Sequence, residues 1–135
     1  NPIELDKYVV ESDWSYSEAE YEHKAVLFDD ARDLLVIPVT YSQQLGNNWE
    51  YWQGAFAFTV TDEDVSLKGK ISHESEDKKF EDNYGYGLGY VQRSLFMDDV
   101  LYTISNYKIK ASDITSLMDI SSVDLPFEEQ IYTIY

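Results

Sequence analysis

Apolar residues recur at every second position along two long stretches of the chain, and this alternation is the feature that most restricts its fold. A period of two is typical of β-strands, because successive side chains point to opposite faces of a sheet. In the first stretch it predicts four consecutive strands, at about 23–29, 34–41, 54–61 and 65–73. Short polar segments separate these strands, so we expect an antiparallel meander.

Side-chain size also alternates within the third of these strands. Phe56 and Phe58 share one face, whereas the small residues Ala55 and Ala57 share the other. A face of small residues lets a second layer approach closely, which favours tightly stacked sheets. The polar segment 42–48, which precedes this strand and contains a glycine, is expected to be a loop.

The second stretch repeats the plan of the first, with strands predicted at about 91–97, 100–105, 108–111 and 117–125. Each set begins with a basic residue and an apolar run, and each first hairpin turns through a pair of aspartates. The matching positions are Lys24 and Arg93 for the basic residue, and Asp29-Asp30 and Asp98-Asp99 for the turn. Repeated four-stranded meanders of this kind are typical of β-propeller blades.

We therefore predict an all-β fold of antiparallel four-stranded meanders, equivalent to about two β-propeller blades. The first blade-like meander would span 23–73 and the second 91–126, within a single propeller fragment that covers 1–135. A single β-sandwich of about eight strands has the same density of strands and stays open as the alternative.

The charge balance restricts the partners of such a fold. The chain carries 26 acidic and 10 basic residues, a formal net charge of -16, and nucleic-acid binding depends on basic patches. We therefore expect no nucleic-acid partner. We also expect no membrane insertion, because no apolar run approaches the roughly 20 residues of a spanning helix. The absence of cysteine excludes disulfides, zinc–thiolate sites and cysteine nucleophiles.

Three stretches carry a resemblance to a known family. They are Tyr21-Glu22-His23-Lys24-Ala25-Val26-Leu27-Phe28 with Asp33-Leu34-Leu35-Val36-Ile37-Pro38-Val39; Tyr51-Trp52-Gln53-Gly54-Ala55-Phe56-Ala57-Phe58 with Leu67-Lys68-Gly69-Lys70-Ile71-Ser72-His73; and Val91-Gln92-Arg93-Ser94-Leu95-Phe96 with Asp99-Val100-Leu101-Tyr102-Thr103-Ile104-Ser105 and Lys108-Ile109-Lys110-Ala111. In this order they resemble the secreted archaeal and bacterial proteins that carry a C-terminal β-propeller domain. The resemblance implies an exported, extracellular or cell-surface protein, of which this chain supplies about two blades at the C-terminal end. It implies no catalytic residues.

Two blades cannot close a ring, because propellers use about four to eight. Their outer faces would also expose more apolar surface than soluble monomers usually show. We therefore expect the partners to be the remaining blades of the parent protein or further copies of this chain. The sequence begins at Asn1-Pro2 rather than at methionine, which we interpret as the start of a processed or truncated piece.

Aromatic residues provide the best candidates for a binding surface. Rigid aromatic rings beside polar or glycine-rich segments are typical of contacts with sugars and proteins. The alternative is that the rings pack between blades as part of the core. The candidate binding residues are Trp49, Tyr51, Trp52, Tyr84, Tyr86 and Tyr90.

Acidic turns provide the candidates for a metal site. Calcium prefers several oxygen ligands, and five aspartates lie close together at two turns: Asp29, Asp30, Asp33, Asp62 and Asp64. The alternative is that these residues form ordinary β-turns. We expect no other cofactor. The histidines, His23 and His73, are interpreted as polar contacts at strand ends, because two histidines alone make a poor transition-metal site.

No convergent catalytic set emerges from the sequence. It contains neither a Gly-x-Ser-x-Gly nucleophile elbow nor a phosphate-binding glycine loop in the required context. The predicted function is therefore non-enzymatic: an extracellular or cell-surface propeller segment for protein or ligand binding, scaffolding or surface assembly. One alternative is that these are supporting blades of an extracellular hydrolase whose active residues lie outside this chain. Another is a structural module stabilised by calcium.

Overall fold

The computed structural model describes residues 2–73 and 90–126, and nine β-strands and three single-turn 3-10 helices lie in these two ranges. The strands are β1 (Trp14–Tyr16), β2 (Leu27–Asp29), β3 (Leu34–Leu45), β4 (Asn48–Val60), β5 (Val65–Ile71), β6 (Arg93–Met97), β7 (Val100–Ile104), β8 (Lys108–Asp113) and β9 (Asp119–Asp124). The 3-10 helices are Glu18–Glu20, His23–Ala25 and Asp30–Arg32. None of the helices in these ranges is long and apolar enough to cross a membrane.

The strands form two antiparallel sheets, which confirms the predicted all-β fold of blade-like meanders. Sheet A contains β1 to β5, and β3, β4 and β5 follow one another across it. Sheet B is a simple meander with the order β6-β7-β8-β9. The alternation of apolar residues is sufficient to place β3 to β8, because each of these strands has buried or partly buried side chains on one face. Strand β9 pairs with β8 and is exposed along its whole length.

The first edge of sheet A differs from the expectation of one strand at 23–29. Residues His23–Ala25 form a 3-10 turn, and β1 and β2 pair with separate parts of the same edge of β3. The interruption lies opposite Pro38, which has no N–H to donate to an edge partner. The carbonyl of Pro38 instead accepts a hydrogen bond from Ser17 Oγ at 2.5 Å.

The expectation of a loop at 42–48 is wrong, because β3 and β4 continue through most of this segment to a two-residue turn. Gly46 occupies the first turn position with a φ of +64, which glycine adopts without steric cost. Cross-strand pairs stabilise the polar part of this hairpin. Gln43 Nε2, for example, donates to Glu50 Oε2 across the two strands at 2.8 Å.

The two sheets pack face to face through the small-residue face of sheet A, in agreement with the alternation of side-chain size. Ala55 and Ala57 are fully buried in this interface, and sheet B contributes the buried Leu101. Gly69 also permits the close approach, since a Cβ there would lie 2.7 Å from Leu117 Cδ1. We call the two contacting surfaces the inner faces of sheets A and B. The buried members of this core are Leu34, Val36, Ala55, Ala57, Ile71, Val91, Leu101 and Ile114.

The opposite, outer face of sheet A carries the large side chains, including the buried Phe56 and Phe58. The N-terminal segment 2–13 lies along part of this face. The Tyr8 ring packs edge-on against Phe58 with centroids 5.1 Å apart, and Asp6 Oδ2 accepts a hydrogen bond from the amide of Val65 at 2.9 Å. The segment therefore shields apolar surface that sheet B does not cover.

A histidine joins the end of sheet A to sheet B. His73 is buried, with Nδ1 2.9 Å from Ser105 Oγ and Nε2 2.7 Å from Thr103 Oγ1. Ser105 Oγ also lies 3.3 Å from the carbonyl of Lys108, to which it can donate. It can therefore accept from Nδ1–H, while Nε2 accepts from Thr103, so the neutral imidazole satisfies the whole network.

Gly54 tests the packing of β4 against β5. A Cβ at Gly54 would lie 2.1 Å from the carbonyl oxygen of Ile71, a clash that no side-chain rotation relieves. We expect Gly54→Ala to lower the free energy of unfolding by at least twice as much as Gly46→Ala. A Cβ at Gly46 would have open space around it, so Gly46→Ala should lower the free energy of unfolding only by the cost of alanine in the left-handed conformation, about 1–2 kcal/mol. Urea titrations measure both, and equal losses would contradict this packing.

His73 predicts a dependence of stability on pH. Burial, assisted by the charges of Lys110 and Lys108, lowers the pKa of His73 from 6.5 to about 4. The unfolded chain therefore binds this proton at a higher pH than the folded chain. The free energy of unfolding is therefore highest above pH 6.5, where His73 is neutral in both states. It decreases as the pH falls towards 4, by up to about 3 kcal/mol.

Urea titrations between pH 7 and pH 4 measure this dependence, and the His73→Gln variant should lose it. His23→Gln is the matched control, because the His23 side chain is exposed and its replacement should retain the loss of stability that His73 causes. A His73→Gln profile that is parallel to the wild-type profile would show that the buried imidazole does not cause the effect.

Candidate functional site

The strands of sheet A and sheet B differ in length, and this difference creates a cleft. Strands β3 and β4 have 12 and 13 residues, whereas the strands of sheet B have five or six. Sheet B therefore packs against only the part of the β3–β4 hairpin that lies far from its turn, around Val36 and Ala57. Beside the β3 edge, β1 and the start of β6 enclose a cavity of about 600 Å³, which we call the edge cleft. Its lining residues are Trp14, Tyr16, Glu18, Glu22, Pro38, Val39, Thr40, Tyr90, Val91, Gln92 and Arg93.

Two aromatic side chains of β1 contribute one wall of the edge cleft. Trp14 and Tyr16 are two residues apart on a strand and so lie on the same face. Their rings are parallel within 6°, with centroids 6.4 Å apart, and Trp14 is 51% exposed. Tyr16 Oη donates a hydrogen bond to Glu18 Oε2 at 2.8 Å, which raises the pKa of the Tyr16 hydroxyl.

Charged and polar groups from both sheets face the same space. The amide of Lys24 donates to the Glu22 carboxylate and lowers its pKa, and the positive charges of His23, Lys24 and Arg93 contribute in the same direction. Arg93, at the start of β6, is exposed, and its guanidinium makes neither a hydrogen bond nor an ion pair with any residue in 2–73 or 90–126. The edge cleft therefore offers an ionised carboxylate and an available guanidinium beside aromatic rings.

The edge cleft offers groups that are suited to recognition. Glu22 has a lowered pKa, so it is ionised at neutral pH and is poorly suited to donate a proton. The hydrogen-bonded His73 and Ser105 lie in the packed interface between the sheets and are both almost fully buried. Their position makes them structural, because a substrate would have to separate the sheets to reach them.

The four predicted aromatic residues that the structure describes, Trp49, Tyr51, Trp52 and Tyr90, do not form one surface. Trp52 lies on the outer face of sheet A, where its ring stacks on Tyr41 at 5.6 Å. Trp49 is exposed near the tip of the hairpin. Tyr51 Oη lies 2.5 Å from Tyr90 Oη, and Tyr90 lines the edge cleft. The remaining candidates, Tyr84 and Tyr86, lie outside the described residues.

Most residues that line the edge cleft are not among the binding residues predicted from the sequence, which include only Tyr90. Trp14, Tyr16, Glu18 and Glu22 precede the first predicted strand, in a region where alternation is too short to register. One local signal indicates where β1 ends. Ser17 follows the aromatic pair, and its side chain accepts a hydrogen bond from the amide of Ala19, so it caps the 3-10 turn Glu18–Glu20.

The five aspartates proposed as calcium ligands lie at two separate turns. Asp29 caps the 3-10 turn Asp30–Arg32, and its Oδ2 lies 2.6 Å from Arg32 Nη1. Asp33 ends that turn in the left-handed conformation with a φ of 52. At the β4–β5 turn, Asp64 Oδ1 accepts from Thr61 Oγ1 at 2.9 Å, and Asp62 is exposed in the same turn.

These contacts are typical of β-turns. Across residues 2–73 and 90–126, no three acidic or histidine side chains come together as a metal site would need. Calcium binding stays a prediction.

The first of these turns also connects the two sheets. Arg32 Nη2 donates to the carbonyl of Asp98 at 2.9 Å, and its guanidinium lies 5.1 Å from the centre of the Phe96 ring. Hydrogen bonding to Asp29 raises the pKa of Arg32, with a smaller contribution from Asp99. The matching aspartate turns of the two meanders are therefore in contact through one arginine.

None of the described residues, 2–73 and 90–126, covers the outer face of sheet B. In the register of sheet B, Leu95 lies opposite Tyr102. Ile104 lies opposite Ile109, which in turn lies opposite Val123. All five of these side chains share the outer face. Leu95 is 40% exposed and Val123 is 63% exposed. Met97, two residues after Leu95, lies on the same face and is 57% exposed. The inner face of the same sheet is buried, so sheet B has one covered and one uncovered apolar face.

Comparison with known proteins agrees with this architecture. The family model described as "Beta propeller domain" matches residues 1–117, which include all of sheet A and the first three strands of sheet B. No curated protein and no solved structure matches the chain. Because the family match extends over most of the sequence and the two sheets have the form of blades, the chain belongs to the Beta propeller domain family.

Proposed function

We propose that the chain is a non-enzymatic segment of an extracellular or cell-surface β-propeller, in which it serves binding and scaffolding. One observation carries the proposal: the outer face of sheet B presents an uncovered row of apolar side chains. Its partner is the next blade of the parent protein or, where that blade is absent, a second copy of this chain.

The construction of β-propellers leads us to expect a docking partner. Blades are arranged radially around a central axis, so a blade contacts a neighbour on each side. Sheet A meets sheet B on its inner face and is shielded in part by segment 2–13 on its outer face. Sheet B has its inner face covered, whereas Leu95, Met97 and Val123 stay exposed on the outer face. Contiguous apolar surface of this kind marks an interaction site.

The acidic surface and the resemblance to secreted propeller proteins support the proposed location. A net charge of -16 keeps a protein soluble and attracts cations, and it repels polyanions such as nucleic acids. A non-enzymatic role is supported by the edge cleft, where both Glu18 and Glu22 are engaged by hydrogen bonds from the protein itself. These features suit a structural unit that works through its surfaces.

The solution mass of the chain tests the docking face. We expect the wild type to sediment as a multiple of its 15.7 kDa mass, because the exposed apolar row associates with another copy. The double variant Leu95→Lys and Met97→Lys should sediment at 15.7 kDa while keeping the circular dichroism spectrum of the wild type. Both side chains are exposed, so the fold should tolerate the change.

The matched control is the double variant Ile3→Lys and Leu45→Lys. It adds the same two charges at exposed apolar positions that lie away from sheet B, so it should associate like the wild type. A wild-type chain that is a compact, stable monomer would contradict the docking role. Equal association of both double variants would place the interface elsewhere and also contradict it.

A further inference from the structure

We propose that the edge cleft binds a neutral oligosaccharide. This binding role goes beyond scaffolding, because Trp14, Tyr16 and Glu22 of the edge cleft belong to sheet A and its flanking turns, and only Arg93 lies where the edge cleft borders the outer face of sheet B. Its volume of about 600 Å³ lies within the range of sites that take small molecules. The class of ligand follows from the walls of the edge cleft, its polar groups and its charge.

The aromatic wall is suited to the apolar faces of sugar rings. Trp14 stacks on Tyr16, which itself stacks on Tyr21, so the ring that this wall offers to a ligand is that of Trp14, which is 51% exposed. Strand β1 is fixed to β3 by pairing, and the hydrogen bond from Ser17 to Pro38 holds the residues that follow. Rings that are held in place before binding lose little conformational freedom when a ligand stacks on them.

The polar groups are suited to hydroxyls. A carboxylate such as Glu22 accepts hydrogen bonds, whereas the Arg93 guanidinium only donates them. A sugar hydroxyl both donates and accepts, so neighbouring hydroxyls can satisfy the two groups together. The Arg93 guanidinium is available for this contact, since it forms no hydrogen bond or ion pair within the described part of the chain. Thr40 adds a hydroxyl of its own to the lining.

The charge balance favours a neutral ligand. Glu18 and Glu22 in the edge cleft, within a chain of net charge -16, disfavour an anionic ligand. Arg93 repels a cationic group that comes directly beside it, although the chain as a whole attracts cations, and the tetralysine probe below tests which effect is larger. A neutral polyhydroxylated molecule avoids both penalties.

The backbone also argues against a peptide that would add a strand here. Strand addition needs free main-chain groups on a sheet edge. On this edge of β3, residues 34–36 pair with β2 and residues 40–42 pair with β1. Between them, Pro38 has no N–H and its carbonyl already accepts from Ser17. The edge therefore has few groups left for a peptide, and recognition through side chains remains.

Binding of defined oligosaccharides to the full chain tests the proposal. The probes are maltotetraose, cellotetraose and chitotetraose, with tetralysine and a sulfated tetrasaccharide as charged comparisons, each titrated by calorimetry. We expect at least one neutral probe to bind and both charged probes to bind more weakly or not at all. Failure of all three neutral probes, or preference for a charged one, would overturn the proposal.

Variants then place the binding in the edge cleft. Trp14→Ala should weaken binding of the neutral probe by about tenfold or more, and Arg93→Gln should weaken it by about tenfold, whereas Trp14→Phe should retain most of it. Trp49→Ala is the matched control, because Trp49 is an exposed tryptophan outside the edge cleft and its loss should change nothing. If Trp49→Ala abolishes binding and Trp14→Ala and Arg93→Gln do not, the sugar binds elsewhere and the assignment of this site is wrong.

Discussion

The close packing of two sheets through a face of small side chains is the constraint on which the rest of this structure depends. Ala55 and Ala57 leave room for the apolar residues of sheet B, and Gly69 admits the side chain of Leu117. Because bulky residues are excluded from the part of this face that sheet B covers, the aromatic residues Phe56 and Phe58 lie on the opposite face there. Each sheet thus acquires one face for its neighbour in this chain and one face for something else.

Polar contacts fix the relative position of the sheets at both ends of β7. Arg32 reaches the turn before this strand, where it contacts the carbonyl of Asp98. His73 reaches its far end, where it contacts Thr103 and Ser105. Apolar packing alone is not directional, so these contacts add the specificity that sets how one sheet faces the other. The same arrangement explains the edge cleft. The β3–β4 hairpin is longer than the strands of sheet B, and sheet B is held against the part of this hairpin that lies far from its turn.

The sequence was sufficient for the parts of the fold in which local pattern and burial agree. Alternation placed β3 to β8 because each of them has one side facing a core, whereas β9 is exposed along its whole length. It failed for β1, which has three residues and is a strand only because β3 offers it an edge. It also failed for the distal hairpin, because cross-strand pairs such as Gln43 with Glu50 are polar and resemble a loop. Both failures are cases in which tertiary context overrides local composition.

The edge cleft was less predictable than the fold. Its residues come from the N-terminal strand, the middle of β3 and the start of sheet B, so Trp14 and Arg93 meet only after both sheets have formed. Of the aromatic residues singled out from the sequence, Tyr90 lines it and Trp52 packs on the outer face of sheet A. Spacing along a chain predicts faces of strands well, but it does not reveal which strand ends the fold will bring together.

The contact between the inner faces is tested most directly by nuclear Overhauser effects across it. The account predicts cross-peaks between the ring protons of His73 and the methyl group of Thr103, and between the Arg32 side chain and the Phe96 ring. Both pairs join sheet A to sheet B. A spectrum of the folded protein that lacks both sets of cross-peaks would contradict the packing of the two sheets and, with it, the edge cleft and the docking face.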